Sequence, residues 1–120
     1  RTPSEEEILK DSERVYAFLV NELFIPAQRI IIMGRSIGTG PAIHLASCRE
    51  AAALITISPF TSLKDAAQAL LGSVAKFLIK DRFKNLEKIS AVHCSTLFIH
   101  GRKDVVVPPE HSDQLYGRSY

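Results

Sequence analysis

A serine lies at the centre of Gly34-Arg35-Ser36-Ile37-Gly38, which has the G-x-S-x-G pattern of a nucleophile elbow. The backbone of a serine on so sharp a strand-to-helix turn is strained. A side chain two residues before or after it would collide with the neighbouring strand or the helix. Gly34 and Gly38 meet that requirement. The pattern predicts Ser36 as a catalytic nucleophile, with the Ile37 backbone N–H as one oxyanion-hole donor.

An acid for the same chemistry follows later in the chain. A serine hydroxyl is a poor nucleophile near neutral pH, so it needs a histidine base, and the base needs a carboxylate to orient it. Asp104 comes just after the apolar run Thr96–His100, in the serine-then-acid order of elbow hydrolases. We therefore predict Asp104 as the acid of a triad. The alternative is a turn aspartate that bonds its own backbone.

None of the four histidines is predicted to be the base. His44 lies two turns into the helix after the elbow, and His93 lies at the sheet edge opposite the chemistry. His100 is expected to hold the local backbone. His111 could in principle reach inward, but an elbow needs a histidine from a later loop. No metal site is expected, because no histidine or cysteine pair has ligand spacing together with a third partner, and no cofactor is expected.

Two other interpretations of the glycine-rich turn remain open. Ser36 can be an idle cap in a tight turn, or the turn can cradle a phosphate. A dinucleotide fingerprint would need glycine where Ile43 stands, and no Gly-Lys-Ser/Thr follows for a P-loop. The alternatives to a hydrolase are therefore a small phosphate- or nucleotide-binding domain and a non-catalytic binding or dimerisation module.

Three apolar, largely β-branched runs must position these residues. They are Arg29–Met33, Leu54–Ile57 and Thr96–His100, and helical patterns follow them over 37–49, 63–79 and 108–116. Runs without alternation are typical of parallel strands buried on both faces. The order predicts an α/β fold, a three-layer sandwich with a parallel sheet whose chemistry lies at the carboxyl ends of the strands. Capping boxes predict two helix starts, Thr2 with Glu5 and Ser62 with Asp65.

Composition narrows the class of protein. The 120 residues are 46% hydrophobic and 23% charged, which predicts one domain over 1–120 with a real core. Scattered charges with a formal sum of +2 give little support for a nucleic-acid partner. No apolar run approaches the roughly 20 residues of a bilayer span, and no signal-peptide pattern is present. Cys48 and Cys94 lack CxxC spacing, so we expect reduced thiols in a cytoplasmic protein.

Taken together, the motifs resemble those of a known family. From Arg29 to about Gly117 the chain is similar to the second half of an α/β-hydrolase-fold serine hydrolase. The similarity is greatest to the branch of the α/β-hydrolase-domain depalmitoylases and serine-aminopeptidase-like proteins. The strings that carry it are Ile32–Pro41, Ser58–Ser62, Phe98–Asp104, Val107–Pro108 and His111–Ser112.

The resemblance implies a reaction and a set of partners. It implies hydrolysis of an ester, thioester or amide through an acyl-enzyme at Ser36, with Asp104 as the acid. The pocket would be bordered by Arg35, Ser58, Pro59 and Phe60. The substrate class would be an acyl-bearing small molecule, a lipid or an acylated protein or peptide.

The sequence departs from the family pattern in two places. In that family the triad histidine follows one further strand after the acid, and earlier strands supply the second oxyanion donor. Neither has a counterpart here, so we expect an incomplete hydrolase domain that is inactive by itself. Arg29–Met33 would then have an exposed apolar edge. Sequence further upstream, a second copy or a domain swap would cover it, and a longer parent protein could touch a membrane peripherally.

Overall fold

A computed structural model describes residues 4–72 and 81–119, and for positions 70 and 71 the backbone only. Three strands alternate with helices in the order that the sequence predicts. The strands are β1 (Ile31–Arg35), β2 (Ala53–Ile57) and β3 (Ser95–Ile99). The helices are α1 (Glu5–Ala17), α2 (Thr39–Cys48), α3 (Leu63–Leu71), α4 (Asn85–Lys88) and α5 (Glu110–Arg118).

The strands form one parallel sheet in the order β1-β2-β3. Arg35 is paired with Ile57, and Ile57 with Ile99, so the three strands end at the same level. The loops that carry Ser36, Ser58 and His100 therefore lie side by side at the carboxyl ends of the three strands. Open parallel sheets bind ligands at these carboxyl ends of their strands.

The helices that contact the sheet cover one of its faces. Alternate residues of β1 and β2, including Ile32 and Leu54, face α2 and are buried with Ile43 and Leu115. On the opposite face Ile31, Met33, Leu97 and Ile99 are 44–65% exposed. The expectation that the strands are buried on both faces is therefore wrong for the part of the chain that the structure describes. That part builds the sheet and one helical layer of the expected three-layer α/β sandwich.

Several element boundaries differ from those expected. The first helix is capped by Ser4, whose side chain accepts a hydrogen bond from the Glu7 N–H, and the expected cap at Thr2 lies outside the described residues. The Ser62 cap is confirmed by a bond from the Asp65 N–H of 3.1 Å. Helix α3 ends at Leu71, where Gly72 follows with φ 84°, and the rest of the helical pattern expected to 79 lies outside the described residues. Across 4–72 and 81–119, no helix is long and apolar enough to cross a membrane.

Candidate active site

Ser36 begins a short 3-10 turn that links β1 to α2. Its φ is 50°, in the left-handed region that residues other than glycine rarely occupy. The turn Ser36–Gly38 leads directly into α2. The Ile37 N–H thus lies in the first helical turn, where N–H groups have no acceptor within the helix. This strand, strained serine and helix start form the arrangement that the G-x-S-x-G pattern predicts.

The two glycines of the motif differ in what surrounds them. A Cβ at Gly34 would lie 2.4 Å from the Gly38 carbonyl oxygen and 2.8 Å from the Ala42 Cβ. A Cβ at Gly38 would meet nothing within 4 Å among the described residues, and its φ is −65°. The expected collision therefore occurs at Gly34 and not at Gly38. Gly34 is required because α2 passes directly over it.

A series of hydrogen bonds beneath the elbow holds the elbow backbone in place. Thr39 Oγ1 donates to the Ser36 carbonyl oxygen. Asn85 Nδ2, fully buried in α4, donates to the Phe60 carbonyl oxygen at 2.9 Å and lies 3.4 Å from Thr39 Oγ1. Asn85 thus joins the first turn of α2 to the loop after β2. Sequence reasoning missed it, because its partners are 25 and 46 residues away.

The loop after β2 contains a second strained serine. Ser58 also has φ 50°, and its N–H donates to the Ile99 carbonyl oxygen at 2.8 Å. The next two residues, Pro59 and Phe60, are buried, and Phe60 packs against Phe83 and Val107. Of the four residues expected to border a pocket, Arg35 and Ser58 are accessible at the strand ends. Pro59 and Phe60 instead support the loop from inside the protein.

Asp104 lies in the turn after β3. Its Oδ1 accepts the N–H groups of Val106 and Val107, both at 3.0 Å, as in a turn that caps itself. The Val107 N–H, the Val106 N–H and the Ser58 hydroxyl hold the pKa of Asp104 below its ordinary value. Its Oδ2 lies 3.6 Å from His100 Nε2. The turn thus keeps this carboxylate charged, with its position fixed, at the strand ends.

A gap separates the candidate nucleophile from the candidate acid. Ser36 and Asp104 follow β1 and β3, which are two strand spacings, or about 10 Å, apart. The distance is too long for a direct hydrogen bond, and an imidazole between the two groups can bond to both. The strand spacing therefore leaves room for a base between the candidate nucleophile and the candidate acid.

The two histidines nearest this gap have other contacts. His100 is 5% exposed, its Nε2–H donates to the Val107 carbonyl oxygen, and its Nδ1 lies 2.6 Å from Ser112 Oγ. His111 is buried, and its Nδ1 accepts the Thr61 N–H at 3.0 Å. Burial lowers the pKa of His111, although the negative charge of Asp65 acts to raise it. Both histidines tie α5 and the loop after β3 to the body of the protein.

The other two histidines are remote from the strand ends. His44 lies on α2, where its Nδ1 is 3.0 Å from Lys88 Nζ and its Nε2 is 3.6 Å from a Glu13 oxygen. Burial, and secondarily Lys88, lower the pKa of His44. His93 precedes β3, so it lies at the end of the sheet opposite Asp104. None of the four histidines, all of which the structure describes, lies between Ser36 and Asp104 with a free nitrogen for each.

Curated relatives match nearly the whole length of this chain. It is 36% identical over 116 residues to the α/β-hydrolase domain-containing protein aho-3 of Caenorhabditis elegans, and 34% identical to human α/β-hydrolase domain-containing protein 17B. The matches cover 97% of this chain, which spans 34% and 39% of those relatives. The chain has the fold of the α/β hydrolases. No protein-family model matches it.

Solved structures agree with this assignment at the level of fold. A puromycin-hydrolysing peptidase of Mycobacterium tuberculosis superposes on 92% of this α/β-hydrolase chain with a TM-score of 0.74 and 18% sequence identity. An acylaminoacyl peptidase of Pyrococcus horikoshii covers 94% with a TM-score of 0.67 and 20% identity. This chain spans 19% and 21% of those two chains.

Proposed function

We propose that this chain supplies the nucleophile and acid of a serine hydrolase that cleaves ester, thioester or amide bonds through an acyl-enzyme. The observation that carries the proposal is the strained Ser36 at the carboxyl end of β1, level with the acid loop after β3. The relatives, which are named as hydrolase domain proteins, support the same class.

The proposed reaction assigns one task to each group. Ser36 Oγ attacks the substrate carbonyl carbon, while a base in the gap takes the hydroxyl proton. The Ile37 N–H binds the oxyanion, and Asp104 orients the base and stabilises its charged form. The leaving group departs with the proton from the base, and water then releases the acyl group by the same steps. The base belongs to a part of the protein outside these 120 residues.

The acyl-enzyme gives the direct test. The protein, expressed from its natural reading frame, is mixed with a p-nitrophenyl acyl ester, quenched in acid and weighed intact. We expect a mass increase of one acyl group in the wild type and none in Ser36→Ala. Ser47→Ala, which changes a serine on α2 away from the elbow, should acylate normally. Acylation of Ser36→Ala at the wild-type level would contradict the proposal.

The substrate class is decided by comparing leaving groups. Matched oxygen ester, thioester and anilide substrates with the same acyl chain are assayed for kcat/KM. A Ser36-dependent rate with any of them supports the hydrolase, and their ranking assigns the bond type. Ser36-independent rates with all three would contradict the proposal.

A further inference from the structure

Three metal-ligating side chains meet on the helical layer, remote from the elbow. Glu13 lies on α1, and His44 and Cys48 lie one turn apart on α2, which packs against α1. Their ligand atoms lie within 4.8 Å of one another. The cluster is at the carboxyl-terminal end of α2, whereas Ser36 precedes its amino terminus, about 15 Å of helix away. This cluster takes no part in the proposed hydrolase chemistry.

We propose that Glu13, His44 and Cys48 bind a divalent transition metal ion of the zinc type. A carboxylate, an imidazole and a thiolate are the ligand types that zinc takes in proteins. His44 and Cys48 have the one-turn spacing that places two ligands on the same helical face. The sequence showed only this pair, because the third ligand comes from another helix.

The distances suit a tetrahedral ion with little movement. With Zn–N and Zn–O of about 2.0 Å and Zn–S of about 2.3 Å, a tetrahedron has edges of about 3.3–3.5 Å. The corresponding distances are 3.6 Å from His44 Nε2 to Glu13 Oε2, 3.8 Å from Cys48 Sγ to Glu13 Oε1, and 3.9 Å from Cys48 Sγ to His44 Nε2. The first two distances reach different oxygens of Glu13, and with one oxygen counted the three ligand atoms lie within 4.8 Å of one another. Rotation of the Glu13 carboxylate and a closure of about 1 Å then give three edges of the coordination sphere.

Solvent can supply the fourth ligand. Cys48 is exposed and lines an open groove of about 520 Å³ together with Gln28 and Ser47. The side chains of His44 and Glu13 are 20% and 31% exposed, so the three ligands are partly shielded and still accessible. Three protein ligands and one water form the open type of zinc site.

Two cations occupy the cluster in the metal-free chain and must move. Arg49 contacts Glu13 Oε1 at 3.1 Å, and Lys88 Nζ contacts His44 Nδ1 at 3.0 Å. A lysine ammonium only donates, so His44 Nδ1 accepts from Lys88. With a metal on Nε2, the ring proton must move to Nδ1, and Lys88 must withdraw. The Cys48 thiol gives its proton to solvent, so two negative ligands neutralise the ion.

Cobalt(II) titration of the 120-residue chain tests the site. We expect one ion per chain, a thiolate-to-cobalt charge-transfer band, displacement of that band by zinc, and a higher Tm with bound metal. Cys48→Ser should abolish the band, and His44→Gln or Glu13→Gln should weaken binding about tenfold or more. The matched control Cys94→Ser, which removes the other cysteine, should keep it. Circular dichroism confirms that each variant is folded.

Lys88→Gln distinguishes metal coordination by His44 from a purely structural role of the cluster. A glutamine carbonyl can accept the Nδ1–H of metal-bound His44, whereas lysine cannot, so this variant should bind cobalt more tightly than the wild type. A band that survives Cys48→Ser, a band lost in Cys94→Ser, or one ion per two chains would overturn the proposal. Unchanged or weaker binding by Lys88→Gln would also overturn the coordination through His44 Nε2.

Discussion

Two neighbouring strands end in serines with the same backbone strain but different surroundings. Ser36 and Ser58 both have φ 50°, and they follow β1 and β2 at the same level of the sheet. Small residues surround Ser36: Gly34 lies beneath α2, and Thr39 and Gly40 begin that helix. Ser58 is followed by buried Pro59 and Phe60, and its hydroxyl contributes to the lowered pKa of Asp104.

The comparison shows that the kink does not by itself make a nucleophile. Both serines leave the sheet sharply, but only Ser36 enters a helix whose first N–H groups can face an oxyanion. The Ser58 loop instead enters the core and is bonded to His111 through Thr61. The residues after the kink therefore distinguish Ser36, the proposed nucleophile, from Ser58, which lies beside the proposed acid.

The largest expected effect comes from removing the charge of the acid. Asp104→Asn should keep the turn, because the amide oxygen can still accept the Val106 and Val107 N–H groups. It should nevertheless lower kcat of the natural protein by about 10⁴-fold, because a base loses its orienting carboxylate. The measurement is the rate of ester hydrolysis, with the exposed Asp113→Asn as control. A loss of less than tenfold would make Asp104 a turn residue only.

The second effect concerns the glycine beneath α2. Gly34→Ala forces a Cβ against the Gly38 carbonyl oxygen and should destabilise the chain by about 1–3 kcal/mol. Gly38→Ala is the matched control, because its φ of −65° and open surroundings accept a methyl group at little cost. Urea unfolding of the three proteins measures both. Equal losses in the two variants would contradict the asymmetry of the elbow.

A smaller effect is expected at the buried asparagine that joins the two serine loops. Asn85→Leu keeps the volume but removes the bond to the Phe60 carbonyl oxygen, at a cost of about 1–2 kcal/mol. Thr39, which donates to the Ser36 carbonyl oxygen, also loses the bond from Asn85, so Ser36 acylation should slow even where the protein is fully folded. Asn21→Leu, at an exposed position, controls for the added apolar surface. Normal acylation by folded Asn85→Leu would show that the chain of bonds does not position Ser36.

The smallest effect is a pH dependence of stability. Because burial lowers the pKa of His111 in the folded protein, the unfolded chain binds its proton more tightly. His111 therefore contributes its full stability at a pH above the ordinary histidine pKa of about 6.5. This contribution is lost as the pH falls toward the lowered pKa of the folded protein. His111→Asn should flatten the curve of Tm against pH in this window. The double variant with His44→Asn should flatten the curve further, since burial also lowers the pKa of His44. An unchanged slope would refute the assignment.

The sequence was sufficient for the features that depend on local order. The run of apolar residues before Gly34 and the helical pattern after it predicted the strand, kink and helix at Ser36. The position of Asp104 after the third strand follows from the order of the apolar runs, and its self-capped turn matches the alternative that the sequence leaves open. The alternation of strands and helices likewise predicted the parallel sheet.

Features that depend on distant partners could not be predicted. Asn85 is one polar residue in a charged stretch, and its bonds to Thr39 and Phe60 exist only after folding. No glycine stands next to Ser58 in the sequence, so nothing there indicates the positive φ of this serine. Burial of β1 on both faces was inferred from an apolar run without alternation, but such a run does not say which residues supply the covering layer.

Chemical labelling with a fluorophosphonate most directly tests the different roles of the two serines. The protein from its natural reading frame is labelled and digested with trypsin, which cuts after Arg35, Arg49 and Lys64 and so separates Ser36 from Ser58. We expect a single adduct on Ser36, its loss in Ser36→Ala and its persistence in Ser58→Ala. An adduct on Ser58, or equal labelling of Ser36→Ala, would contradict the assignment of Ser36 as the nucleophile.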